Sequence, residues 1–376
     1  MNKLIVFLVS ILFLTHNLSY TVIEKSVYLN YVIFLLLFLV SILYTSKILI
    51  KFWLLLYFLF LIAISLFSQS ILLSLSYVFL LIVYFFIFNL LNNRDIPFFK
   101  ILFYTSFIIV LLSCFYTFLD PLSINYRGGN IALKGFFKNN NSFAQIIFLT
   151  LLTFYNFNRK DNCNLYMIIV FLFLSLLTSS RSIIISILVL LIIEMFKLKK
   201  SYLIILLSIA FISILIKKDQ LLLLFEKIFR TESFTATDLS ESRFQLLMQF
   251  KSIFWELPFT GLGIGNQTSV WIYGNLGGGQ EIEGLGLHNS FIQILAEQGI
   301  IGFIIFIFIN IIATNKLFKS NKKLFYTLIV ILISSTFESN IYYISSPLAY
   351  LYWYIIFFAV NKKGAKNEDT FVAKCD

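Results

Sequence analysis

The stretch ILLSLSYVFLLIVYFFIFNLL (Ile71–Leu91) decides the fold class of this 376-residue chain. It contains no charged side chain from one end to the other. A helix of about 20 apolar residues is long enough to cross the hydrocarbon core of a bilayer. Its aromatic and aliphatic residues also leave no charged face that could be turned to water. The stretch therefore predicts a transmembrane helix.

The composition of the whole chain has the same character. Apolar residues make up 60% of the sequence, aromatic residues 18% and charged residues 12%, whereas charged residues average about 25% in soluble domains. A soluble protein of this size has too little interior to bury so much apolar side chain, and a disordered chain would contain far less of it. These observations exclude both classes and predict an all-α, polytopic integral membrane protein.

Apolar runs between polar breaks predict about twelve transmembrane helices. Their positions are residues 4–23, 27–46, 52–67, 71–91, 96–119, 142–157, 165–179, 181–196, 202–216, 289–313, 325–338 and 343–360. The resulting regions are N-terminal helices (1–119), a first extracytoplasmic loop with the central helices (120–216), one long extracytoplasmic loop (217–288), and C-terminal helices with a cytoplasmic tail (289–376). Long loops in membrane proteins are usually functional.

The lysine and arginine residues predict the orientation of the chain. With the N-terminus in the cytoplasm, the short loops and the tail place 18 of these residues inside and 5 outside, as the positive-inside rule requires. The net charge of +11 is therefore a topogenic signal, and no nucleic-acid partner is expected. The loops 120–141 and 217–288 then lie on the outer face, where we expect the active site.

Two polar residues are hard to explain as ordinary parts of a helix bundle. His288 stands in GLGLHNS (284–290) at the boundary between a loop and a helix. Histidine titrates near neutral pH and suits general-base work, although a role as an interface residue stays open. Arg181 begins an apolar run on the outer face, against the positive-inside trend. That position favours a functional arginine over one that only reaches the lipid headgroups.

The residues near these two predict further features of the outer face. Arg243 lies in an amphipathic stretch that we expect on the outer membrane surface, and Asn289 can cap the helix that follows it. Glu297 comes nine residues after His288, nearly on the opposite face of that helix. It therefore predicts an ion pair or a tie between helix and loop rather than a catalytic couple with His288.

The remaining sequence patterns give no sign of a cofactor. The glycines of GLGIG (261–265) lack the GxGxxG spacing of a nucleotide loop, and they predict a tight turn that approaches a substrate or a helix. The three cysteines lack the spacing of a metal site or a disulfide framework. We therefore expect neither a metal nor a cofactor.

Four motifs in order resemble the O-antigen ligase and polymerase superfamily, which are membrane glycosyltransferases that use undecaprenyl-diphosphate-linked glycans. The motifs are GFFKNNN (135–141), with Asn140 where the family usually has proline; TSSR (178–181); Ser242-Arg243 followed by PFTGLGIG (258–265); and His288-Asn289 followed by ExGxxG (297–302). The resemblance covers roughly residues 130–305.

The resemblance implies a reaction and a role for each candidate residue. His288 would accept the proton of an acceptor sugar hydroxyl, and Arg181 and Arg243 would bind the diphosphate leaving group. The transfer would invert the anomeric carbon without a metal, in the inner (cytoplasmic) membrane, with the site facing the periplasm. The residues with an expected supporting role are Asn141, Asn289 and Glu297.

The members of this superfamily differ in the acceptor to which they transfer the glycan. A Wzy-type polymerase joins repeat units on two lipid carriers, and a ligase transfers the glycan to lipid A–core; the GFFKNNN match favours the polymerase. The implied partners are the lipid-linked donor, a glycan or lipid A–core acceptor, membrane lipids and a chain-length regulator. A transporter or lipid-linked glycan flippase is the alternative class, but few charges lie in the predicted helices and the polarity is concentrated in two outer loops.

Overall fold

The computed structural model describes residues 2–18, 21, 26–44, 50–68, 70–120, 124–127, 130–158, 161–197, 254–255, 257–265, 289–341 and 346–361. Within these ranges the chain is mostly helical. Its elements are α1 (Asn2–Leu18), α2 (Ser26–Tyr44), α3 (Phe52–Leu66), α4 (Ile71–Asn93), α5 (Phe98–Leu119), β1 (Ile124–Arg127), β2 (Asn130–Leu133), α6 (Asn140–Phe157), α7 (Asp161–Thr178), α8 (Arg181–Lys197), α9 (Ser290–Ser320), α10 (Lys322–Ser335) and α11 (Pro347–Asn361).

These helices lie close to the positions predicted from the apolar runs. Eleven of the twelve predicted helices have a counterpart in the described part of the chain, and the predicted helix 202–216 lies outside it. The main difference is an antiparallel hairpin in the first loop, where Ile124 pairs with Leu133. The Gly128-Gly129 sequence between the strands is typical of a two-residue hairpin turn. The all-α prediction therefore needs this correction.

Three of the described helices are long and apolar enough to cross a bilayer, namely α4, α5 and α9. Shorter apolar helices lie within α1, α2, α3, α7 and α11. This set supports a membrane-embedded protein, because consecutive apolar helices of this kind satisfy their own backbone hydrogen bonds in lipid. The total of twelve spans stays a prediction.

The first of two compact units comprises Met1–Val9, Tyr31–Phe98 and Phe244–Asp376. Its core is rich in aromatic rings that meet edge to face. The Phe85 ring on α4 lies 5.7 Å from the Phe58 ring on α3 and 5.2 Å from the Phe357 ring on α11. Helix α11 is buried on nearly every side, which agrees with its apolar character all round. Helix α9 packs against α11 and α3.

The second compact unit comprises Ser10–Asn30 and Phe99–Arg243. Helix α6 is mostly buried and packs against α7, α8 and β2. The buried carboxylate of Glu194 on α8 accepts a hydrogen bond from the Tyr155 hydroxyl and forms an ion pair with Lys197. An acidic side chain within an apolar helix requires such partners.

Candidate functional site

The predicted site residues are divided between the two units. Arg181 and Asn141 lie in the second unit, and Asn289 and Glu297 lie in the first. Arg243 and His288 lie outside the described residues, so their roles stay predictions. The structure describes other parts of the four motifs, namely residues 135–141, 178–181, 258–265 and 289–302.

Arg181 begins α8 immediately after a short connection from α7. Helix α7 ends at Thr178, and Ser179 has a positive φ of 56°. The carbonyl of Ser180 then accepts a hydrogen bond from the N–H of Ile184 (3.1 Å). The Arg181 side chain is exposed, and the first turn of α8 contains no acidic residue. Because a helix N-terminus carries a partial positive charge, Arg181 adds to that charge.

The GFFKNNN motif forms the turn that leads into α6. Gly135 has a φ of 58°, and a Cβ there would lie 2.7 Å from the Cβ of Ser113. Only glycine fits this conformation and this close approach. Phe137 is buried, and the side chain of Asn139 caps α6 by accepting a hydrogen bond from the N–H of Ser142 (2.7 Å).

Asn140, rather than Asn141, connects the first two motifs. Its side-chain Nδ2 donates a buried hydrogen bond to the carbonyl of Thr178 at 2.7 Å. Asn141 is half-buried in the first turn of α6, and its supporting role stays a prediction. Asn140 was not predicted as a site residue, because in the motif it stands out only as a departure from proline. The available signal was chemical, since an asparagine side chain donates hydrogen bonds and a proline does not.

Helix α9 is interrupted at Gly299, whose φ of 63° and ψ of −173° are far from helical values. The interruption leaves backbone groups without partners inside the helix, and the segment Leu257–Gly265 supplies them. Three hydrogen bonds join the N–H of Leu262 to the carbonyl of Ala296 (3.1 Å), the N–H of Gly263 to the carbonyl of Glu297 (2.9 Å) and the N–H of Ile300 to the carbonyl of Pro258 (2.8 Å). We call Leu257–Gly265 together with residues 296–300 of α9 the clasp.

Two glycines allow the backbones of the clasp to touch. A Cβ on Gly261, which has a φ of 67°, would lie 2.4 Å from the carbonyl carbon of Glu297. A Cβ on Gly299 would lie 2.4 Å from the carbonyl carbon of Phe259. The glycine turn predicted from the third motif therefore approaches a helix, and that helix carries the fourth motif.

Glu297 joins the two sides of the clasp with its side chain. Its Oε2 accepts a hydrogen bond from the N–H of Gly265 at 2.6 Å, and its Oε1 accepts one from Nε2 of Gln293 at 3.0 Å. The residue is fully buried, and a buried carboxylate requires such donors. The sequence predicts either an ion pair or a helix-to-loop tie at Glu297, and the structure shows the tie.

Asn289 caps α9, as the sequence predicts. Its Oδ1 accepts hydrogen bonds from the N–H groups of Phe291 (2.9 Å) and Ile292 (3.1 Å). Its Nδ2 donates to the carbonyl of Thr336 (2.9 Å). The chain is therefore held firmly at the residue that follows His288.

Comparisons with known proteins support the assignment from the motifs. No curated protein matches the chain. Residues 166–307 match the family model described as O-antigen ligase. This range contains the TSSR motif and the third and fourth motifs, whereas GFFKNNN lies before it. The resemblance predicted from the motifs is thus confirmed over residues 166–307, where this membrane-embedded chain is similar to the O-antigen ligase family.

Proposed function

We propose that this protein is a membrane glycosyltransferase that joins undecaprenyl-diphosphate-linked oligosaccharide repeat units on the outer face of the cytoplasmic membrane, as a Wzy-type polymerase. The observation that carries the proposal is the match of residues 166–307 to the O-antigen ligase family. That range contains the two arginines and the histidine that suit the reaction. The apolar helices support its location in a membrane.

The diphosphate of the donor gives the two arginines their proposed role. Transfer breaks the bond between the anomeric carbon and a diphosphate oxygen, and it forms a bond from that carbon to the acceptor oxygen. The electron pair of the broken bond stays on the departing diphosphate, where negative charge builds up. A guanidinium group binds phosphate oxygens through two parallel hydrogen bonds. Arg181 and Arg243 would thereby stabilise the leaving group in the transition state.

The position of Arg181 supports this role. Its side chain is exposed at the first turn of α8, and that turn contains no acidic residue. The N–H groups and the dipole of a helix N-terminus favour anions. An arginine at such a terminus therefore adds a cation to a site that already attracts phosphate.

His288 is the proposed general base. It would take the proton from the acceptor hydroxyl as the oxygen attacks, and a positioned base of this kind contributes about 10²–10⁴-fold to a rate. Attack from the face opposite the diphosphate inverts the anomeric carbon. The arginines would supply the positive charge that a metal ion supplies in other transferases, so we propose a metal-independent reaction.

The acceptor separates two candidate functions. The GFFKNNN segment favours the polymerase, and the hydrogen bond from Asn140 to Thr178 connects that segment directly to the TSSR motif (2.7 Å). The description of the matching family favours the ligase, which would transfer the glycan to lipid A–core. The two functions differ only in the molecule that provides the attacking hydroxyl.

A transfer assay with the purified protein in detergent tests the proposal. Lipid-linked repeat units alone should give longer lipid-linked glycans if the protein is a polymerase. A product that forms only when lipid A–core is added would assign the ligase function. EDTA should leave the rate unchanged. Detergent provides no second compartment, so a transporter would form no new glycosidic bond, and the absence of product with both acceptors would refute the transferase.

A further inference from the structure

We propose that Glu297 is a positioning residue for glycan transfer, because its carboxylate closes the clasp and so fixes the helical segment that follows His288. The inference rests on the proposed role of His288 as the base. In this role Glu297 acts through the backbone of the loop and the helix and does not contact the reacting atoms.

Hydrogen bonds hold Gly265 and Asn289, the described residues on either side of 266–288, to one helical segment. Gly265 precedes this stretch and donates its N–H to the Glu297 carboxylate at 2.6 Å. Asn289 follows the stretch and caps the same segment, Ser290–Gln298. Glu297 and Asn289 are separated by about 12 Å of helix rise. Gly265 and Asn289 are therefore both tied to this segment, and His288 immediately precedes Asn289 in the sequence.

A carboxylate suits this closing contact because it accepts hydrogen bonds in two directions. Oε2 accepts from the Gly265 N–H, and Oε1 accepts from Nε2 of Gln293 at 3.0 Å. Without the carboxylate, the buried N–H of Gly265 would lose its acceptor, which costs about 1–3 kcal/mol.

The surroundings of Glu297 also argue against a direct role in proton transfer. Each of its two oxygens already accepts a hydrogen bond, and the side chain is fully buried. It lies eight residues after the cap at Asn289, which is more than two helical turns. A group in this position acts by holding the structure that carries the base.

The variants Glu297→Gln and Glu297→Ala distinguish a positioning role of Glu297 from a direct role in the reaction. The glutamine Oε1 can still accept from Gly265, and its Nε2 would face Gln293. Oε1 of Gln293 has no hydrogen-bond partner among the described residues, so the Gln293 amide can turn to accept that bond. The alanine variant makes neither contact. Asn310→Ala is the matched control, since Asn310 is buried on the same helix and bonds to Tyr352 (3.0 Å) away from the clasp.

The experiment measures kcat, donor KM and hydrogen exchange of the 257–265 peptide for each purified variant in detergent. We expect Glu297→Ala to lower kcat about 100-fold, the scale of a 1 Å misplacement, with donor KM changed less than about threefold. Exchange at the 257–265 peptide should become faster in that variant. Glu297→Gln should keep at least about a third of kcat, and Asn310→Ala should match the wild type in both measurements.

Three results would overturn the inference. Equal loss of kcat in Glu297→Gln and Glu297→Ala would mean that the charge itself takes part in the reaction. Full kcat in Glu297→Ala would mean that the clasp does not position the base. Unchanged exchange in Glu297→Ala would mean that the carboxylate does not hold the segment. His288→Ala is assayed for transfer in parallel. Its transfer rate tests the proposed function, whereas hydrogen exchange in Glu297→Ala tests the clasp and does not depend on which residue is the base.

Discussion

Replacing Gly299 with alanine perturbs the break in α9 at its centre. The φ of 63° and ψ of −173° at Gly299 fall in a region that only glycine occupies readily. Strain there costs another residue about 1–3 kcal/mol. The added Cβ would lie 2.4 Å from the carbonyl carbon of Phe259, so the two backbones must separate by about 1 Å to reach normal contact. Loss of one or two of the three backbone hydrogen bonds adds about 0.5–1.5 kcal/mol each. We expect a total destabilisation of about 1.5–6 kcal/mol.

The assay is the free energy of unfolding in mixed detergent micelles, measured by denaturant titration. Ile304→Ala is the matched control, because Ile304 lies on the same helix with its side chain 61% exposed, and exposed substitutions usually change stability by less than about 0.5 kcal/mol. If Gly299→Ala unfolds with the same free energy as Ile304→Ala, the contact between the glycine turn and the break does not stabilise the fold, and the reasoning is wrong.

Asn289→Ala should lower the free energy of unfolding by about 1–2 kcal/mol, because it removes the cap of α9; an unchanged value would show that the cap is dispensable. Arg181→Ala and Arg243→Ala should abolish glycan polymer while the protein stays in the membrane, since loss of an arginine on a transferred phosphate can cost 10³-fold or more. The corresponding lysine variants should restore little polymer formation. Normal polymer from both lysine variants would mean that the arginines serve only as membrane anchors. A reporter fused after Asn275 should be extracytoplasmic and one after Lys366 cytoplasmic; cytoplasmic activity at Asn275 would refute the orientation.

The helix positions could be predicted because lipid imposes a simple rule on sequence. A bilayer-spanning segment must be apolar over its whole length, so Ile71–Leu91 indicates α4 without any knowledge of its neighbours. The hairpin of β1 and β2 was missed because its residues lie outside the apolar runs. Strand pairing there depends on cross-strand partners such as Ile124 and Leu133, which a search for apolar runs does not reveal.

In the candidate site, too, local features could be predicted from the sequence and long-range contacts could not. The cap at Asn289 depends on the next three residues, so the sequence was sufficient to predict it. The partner of Glu297 is a backbone N–H at Gly265, 32 residues earlier in the chain. No residue spacing predicts such a pair, because backbone donors are the same at every position. The glycines at 261 and 299 were visible in the motifs, but their contact with each other's segments required the structure.

The central claim is that His288 moves a proton while the arginines hold the donor, and the most direct measurement compares donor binding with transfer in His288→Ala. We expect unchanged affinity for the lipid-diphosphate donor and a transfer rate lower by about 10²–10⁴-fold. His16→Ala, at the other of the two histidines, is the control and should transfer like the wild type. The wild-type rate should fall below about pH 6.5, where an imidazole becomes protonated. Most of the turnover retained in His288→Ala, with an unaltered pH profile, would contradict the claim, and so would loss of donor binding.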